Sequence, residues 1–243
     1  MKITGRTIRR SALGLLVFCM AALLLSVDRV DYQPYFRQQY YVETAARLHD
    51  GIKTNTSSRG ELAAGFGRAL LTPTLNAPQD DPAQGRFRML PLAGYGSRKG
   101  RPAAGVHDDL YVKAVALRVA DRVGVMVGAD ALIIPREVAE LVTQRIEQEL
   151  RLQRAQIYLS ATHTHSSLGG WGEGVVGEAF AGGFQPGVRI WFADRVVTAV
   201  RIALTNLQPA TFGRGSFQAP EFVRNRVIGR LGKVDPEFSY LLL

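Results

Sequence analysis

A single cysteine, Cys19, stands in the 243-residue chain. One thiol excludes a disulfide framework, and the absence of any Cys-x-x-Cys pair excludes a cysteine-built structural zinc site. Eleven prolines and 25 glycines are too few and too scattered for a collagen-like or low-complexity chain. There is no Gly-x-Ser-x-Gly elbow, phosphate loop or dinucleotide fingerprint. Gly65-x-Gly67 and the glycines of 169–183 lack the strand-to-helix spacing those motifs need. Histidine is scarce, and four residues supply all the imidazole ligands and neutral-pH bases. Apolar residues are plentiful: at 47% hydrophobic and 21% charged, the chain can bury a sizeable core.

The net charge of +9 invites a polyanion partner, but Lys2, Arg6, Arg9 and Arg10 supply four of those charges within residues 1–27, where no acid occurs. The remaining +5 is scattered, with Arg98-Lys99-Gly100-Arg101 as its one short run. No basic helix with interleaved aromatics appears, so nucleic acid is not an expected partner. The basic segment 1–10 precedes SALGLLVFCMAALLLSV, 17 uncharged residues at 11–27. As a helix this run is about 25 Å long, at the lower edge of a bilayer span. It is expected to be one N-terminal transmembrane helix, or else a signal segment. The stretch Leu25-Ser26-Val27-Asp28-Arg29 lacks a small-residue cleavage site, which favours the anchor. Either way the rest would face the extracytoplasmic side of the membrane.

Residues 28–60 read as a helical arm and linker. An amphipathic helix is expected at 33–49, ended by a solvated His49, and a polar loop at 50–60 that includes the acceptor-like triplet Asn55-Thr56-Ser57. The domain at 61–243 alternates strand and helix. A strand at 62–71 is broken by Gly65 and Gly67, and strands at 110–119 and 122–129 are joined tightly through Asp121-Arg122. A helix opened by Pro135 follows, then a strand from 156 running through Thr162-His163-Thr164-His165 into a glycine-rich loop. A helix near 187–206 and a strand at 210–218 complete the series. The expected class is α/β, with a mixed β-sheet flanked by helices.

The chemistry concentrates at His163 and His165. In extended chain both imidazoles face one way, which suits a metal site with one ligand and one polar neighbour, or a pair of solvated histidines. His107, before its strand, could approach the same cavity, with Asp108 or Asp109 fixing its tautomer. Arg226 beside Asn225 could steady an oxyanion, and Asp130 could cap the following helix.

Several stretches in order resemble the neutral/alkaline (non-lysosomal) ceramidase family. They are Ala64-Gly-Phe-Gly-Arg-Ala69 with Thr72-Pro73, Leu92-Ala-Gly-Tyr-Gly96, Gly105-Val-His-Asp108, Ser160-Ala-Thr-His-Thr-His-Ser166, Asn225-Arg226 and Val234-Asp-Pro-Glu237. The resemblance spans roughly residues 62–243. It implies a zinc amidase that cleaves the N-acyl bond of ceramide or a related N-acyl lipid. It further implies His163 as a zinc ligand, His165 as an active-site polar residue near the metal and Arg226 as the functional arginine. His107 falls on a family motif and joins the catalytic candidates. The family usually reads Gly-Pro-Gly-Gly after the histidine motif, whereas this chain has Ser167-Leu168-Gly169-Gly170.

The family's remaining zinc ligands and its serine lie beyond the Val-Asp-Pro-Glu motif. The apolar ending Phe238-Ser-Tyr-Leu-Leu-Leu243 reads as the interior of a strand. The expectation is therefore the N-terminal part of a larger hydrolase, with the sheet incomplete at its C-terminus and these 243 residues inactive alone. The alternatives are a non-catalytic anchored module, or a metal-dependent hydrolase of another substrate.

Overall fold

The computed structural model describes residues 5–27, 31–54 and 57–243. Lys2, the Asp28-Arg29 junction and the Asn55-Thr56 part of the acceptor-like triplet lie outside them. The chain forms two compact units, Met1–Ser57 and Ser58–Leu243.

The first unit holds helix α1 (Gly5–Ser26), a short 3-10 turn (Tyr35–Arg37) and helix α2 (Gln39–Thr54). In α1 the apolar side chains from Leu13 to Leu25 are exposed. Among the described residues, however, no helix is long and apolar enough to cross a membrane, so the expected transmembrane helix is not borne out. α2 continues past His49 to Thr54, so that histidine sits within the helix rather than closing it.

The second unit is built on a five-stranded sheet ordered β4-β3-β2-β1-β5. Its strands are β1 (Leu62–Leu70), β2 (Tyr111–Val119), β3 (Arg122–Ala129), β4 (Ile157–Ala161) and β5 (Gln208–Pro209). β1 pairs antiparallel with both β2 and β5, and β2 pairs antiparallel with β3. β3 and β4 run parallel, joined through helix α3 (Arg136–Leu150), as parallel strands require. The mixed sheet of the expected α/β class is therefore present.

The β2–β3 turn is Ala120-Asp121, one residue earlier than expected. Val119 pairs with Arg122, and Ala120 takes a φ of +52°.

Helix α5 (Pro186–Thr205) lies against β1 and β2 and also packs against α3. Val188, Trp191, Phe192, Val196, Val197 and Val200 of α5 are buried, and α3 meets them with Val138, Val142 and Ile146. This breadth of apolar surface marks α5 as the central helix of the core. Gly65 and Gly67 do not break β1. A Cβ at either would strike the α5 carbonyls of Ala203 and Ala199, so both glycines serve close helix–sheet contact.

A short helix α4 (Gly174–Ala181) occupies the glycine-rich stretch expected to be loop. Strands β6 (Gly213–Gln218) and β7 (Glu237–Leu242) form a separate antiparallel two-stranded sheet. The apolar ending is thus paired with β6, with Phe238, Leu241 and Leu242 exposed, rather than set inside a core sheet.

Candidate active site

β4 ends at Ala161, and the histidine motif lies just beyond it. The extended-chain reason for pairing the rings does not hold, because His163 takes a φ of +58°. A non-glycine residue costs about 1–2 kcal/mol in that region, so neighbouring bonds must hold it. The N–H groups of Thr162 and Thr164 donate to the carbonyls of Ala129 and Ala131, at 2.9 and 3.2 Å, pinning the chain on both sides of His163. The rings of His163 and His165 still meet edge to face, with centroids 5.2 Å apart.

The two imidazoles have different surroundings. His163 Nδ1 lies 2.9 Å from the Leu132 carbonyl. A carbonyl only accepts, so the proton sits on Nδ1 and the Nε2 lone pair is free. That tautomer suits a metal ligand, and the bond to a backbone carbonyl is the usual device that orients such a ring. His163 therefore fits a zinc ion as one ligand. Among the described residues no group of three or more His, Cys, Asp or Glu side chains is arranged to hold a metal.

His165 is half-buried beneath residues 94–98. Its ring lies against Tyr95, with centroids 4.1 Å apart, and Arg98 donates to its carbonyl at 2.7 Å. Arg98 also covers the Tyr95 ring at 5.1 Å. Gly94, at φ +80°, lets the backbone press on the imidazole, and a Cβ there would collide with Nδ1. That nitrogen is buried without a hydrogen-bond partner, so Nε2 is the ring atom left to act. Desolvation first, then the charges of His163, Arg98 and Arg226, holds His165 below its ordinary pKa. The imidazole is accordingly neutral near pH 7.

Arg226 is near enough for its charge to act on His165. Asn225 folds the turn that carries it, its Oδ1 accepting from the N–H groups of Val227 and Ile228 at 2.9 and 3.1 Å. His107 stands apart from the pair. Its side chain is exposed and bonds Asp108 at 2.6 Å, one of the two partners that the sequence offered. It lines a cleft of about 540 Å³ that Thr164 and Ser166 also line. Asp130 does not cap α3, where Pro135 holds the N-cap position. Instead it accepts from Tyr111 N–H at 3.0 Å and pairs with Lys113 at 3.7 Å.

A family profile described as neutral/alkaline non-lysosomal ceramidase, N-terminal, matches residues 83–228, more than half of the chain. The chain belongs to this ceramidase family. Two solved structures share the fold. A ceramidase complexed with C2 is 24% identical, with a TM-score of 0.60 over 74% of this chain and 28% of its own. The neutral ceramidase of Pseudomonas aeruginosa is 23% identical, with a TM-score of 0.60 over 76% of this chain and 29% of its own. This ceramidase-family chain thus spans less than a third of the length of either structure. No curated protein matches it in sequence.

Tyr95, Arg98 and the Leu132 carbonyl are parts of the site that residue-by-residue reading missed. Tyr95 lay within a quoted motif and Arg98 within the one basic run, but nothing local linked either to His165. A backbone carbonyl carries no sequence signal at all.

Proposed function

We propose that the chain is the N-terminal portion of a zinc-dependent amidase that hydrolyses the N-acyl bond of ceramide or a related N-acyl lipid. The observation that carries this reading is the division of labour between adjacent imidazoles in a ceramidase-family chain. One is oriented with Nε2 free, and the other is held neutral beneath Tyr95 and Arg98. His163 is the residue that would hold zinc, the remaining ligands lying outside this chain. When bound, the metal would supply Lewis-acid polarisation of the amide carbonyl and a more acidic water.

The chain's own residues do the rest. His165 offers Nε2 to the oxygen on which charge develops, and Arg226 adds a cation on the same side. His107, on the rim of the cleft, contacts the substrate's polar part. The basic and apolar N-terminal segment serves for export and membrane attachment. An extracytoplasmic domain held at a membrane is suited to an insoluble lipid substrate.

The test is hydrolysis of a fluorescent ceramide by the full-length protein. Turnover should vanish on chelation and return with zinc. His165→Ala should lower the rate by about 10²–10³-fold, the usual cost of losing one oxyanion donor. Undiminished turnover after exhaustive chelation would refute the reading.

A further inference from the structure

The turn that carries Arg226 continues into a surface that the reaction chemistry leaves unused. Between Glu221 and Asp235 the sequence has no acid and four cations, Arg224, Arg226, Arg230 and Lys233. Exposed apolar side chains are interleaved with them. Val227 and Leu231 are 91% and 90% exposed, and Phe222 and Ile228 also face solvent. A lone aliphatic side chain on a surface needs no explanation, but a cluster of them set among cations does.

The turn is built from within. Asn225 is half-buried, and besides holding the N–H groups of Val227 and Ile228 it donates from Nδ2 to the Lys233 carbonyl at 3.4 Å. Gly229, at φ +58°, pairs with Asn225. Gly232 lies so close to the Asn225 side chain that a Cβ there would collide with it. Asn225 thus fills the inside of the turn and leaves Val227 and Leu231 on its outside. The backbone hydrogen bonds impose their exposure.

We propose that residues 222–234 form a docking surface for an anionic lipid bilayer, with Val227 and Leu231 entering the interface and Arg224, Arg230 and Lys233 meeting the phosphates. Charge complementarity decides the partner. A second copy of the chain would set four cations against four, and a nucleic acid would leave the aliphatic tips in water. A bilayer surface satisfies both groups, because acyl chains accept the tips while Arg and Lys stay at headgroup level. Arg226, whose charge acts on His165, ties this surface to the histidine pair. The proposal goes beyond the amidase reading and does not rest on it, nor on the apolar run at residues 11–27.

The test is hydrogen–deuterium exchange of the full-length protein, followed by mass spectrometry of peptides covering 222–234. Vesicles of phosphatidylcholine with phosphatidylglycerol should slow exchange there, and vesicles of phosphatidylcholine alone should not. The slowing should be lost in the triple variant Arg224→Glu, Arg230→Glu, Lys233→Glu and in the double variant Val227→Ser, Leu231→Ser. Exchange at β1, β2 and β3 should stay native in both, showing that the fold is intact.

Slow exchange over 222–234 before any lipid is added would show that another part of the protein covers the turn, and would overturn the proposal. No slowing on anionic vesicles would do the same. Slowing that persists in both variants would trace it to attachment elsewhere and would also overturn the proposal. Equal slowing on neutral vesicles would overturn the part given to the cations. None of these outcomes depends on zinc or on ceramide turnover, so the two readings fail separately.

Discussion

At the scale of single residues, the site depends on atoms that cannot move. His165 is fixed by Tyr95 on one face, by the Gly94 backbone against Nδ1 and by Arg98 at its carbonyl. Gly94 is needed twice, for its φ of +80° and for the space a Cβ would take. Gly94→Ala should therefore cost about 1–2 kcal/mol of stability from the backbone alone. It should also displace the imidazole, and turnover of the full-length protein should fall about as far as in His165→Ala. Parallel kcat measurements and chemical denaturation check this, and a Gly94→Ala enzyme with normal kcat would contradict the clasp. The histidine motif itself was legible in sequence, because two imidazoles two residues apart are rare in a chain with four. The geometry pairing them was not, since the bend at His163 comes from bonds to Ala129 and Ala131 on another strand's exit.

At the scale of elements, strand and helix periods were mostly readable. α3 and α5 lie close to where Pro135 and the apolar spacing indicate, and β1, β2 and β3 match their runs. Two errors share a cause. Gly65 and Gly67 look like breaks until α5 is seen resting on them, and the glycine-rich stretch conceals α4. In both cases tertiary contact outweighs local propensity.

The α3–α5 seam also carries a polar tie. Arg145 of α3 reaches Asp194 of α5 at 3.2 Å, and Arg195 bonds the same carboxylate. Burial alone would raise the Asp194 carboxyl, but hydrogen bonds and charge from Arg195 and Arg145 outweigh it and hold it below its ordinary value. A lowered pKa contributes stability above the unfolded value of 3.8 that is lost as pH falls through the folded one. Asp194→Asn should thus cost about 1 kcal/mol at pH 7, with the gap to wild type narrowing on acidification. Urea midpoints across pH 3–7 test it. A gap that widens towards acid would reverse the sign.

At the scale of the whole molecule, family membership and the α/β class were both within reach of the sequence, because ordered motifs survive where overall identity is only 23–24%. The N-terminal apolar run was equally visible, but among the described residues no helix is long and apolar enough to cross a membrane. The central claim is that His163, and not the exposed His107, holds the metal of an amide-cleaving site. Zinc content and ceramide turnover, measured together on full-length His163→Ala and His107→Ala proteins, test it most directly. The account predicts loss of both zinc and turnover in His163→Ala, and retained zinc in His107→Ala. A His163→Ala protein that keeps stoichiometric zinc and normal turnover would contradict it.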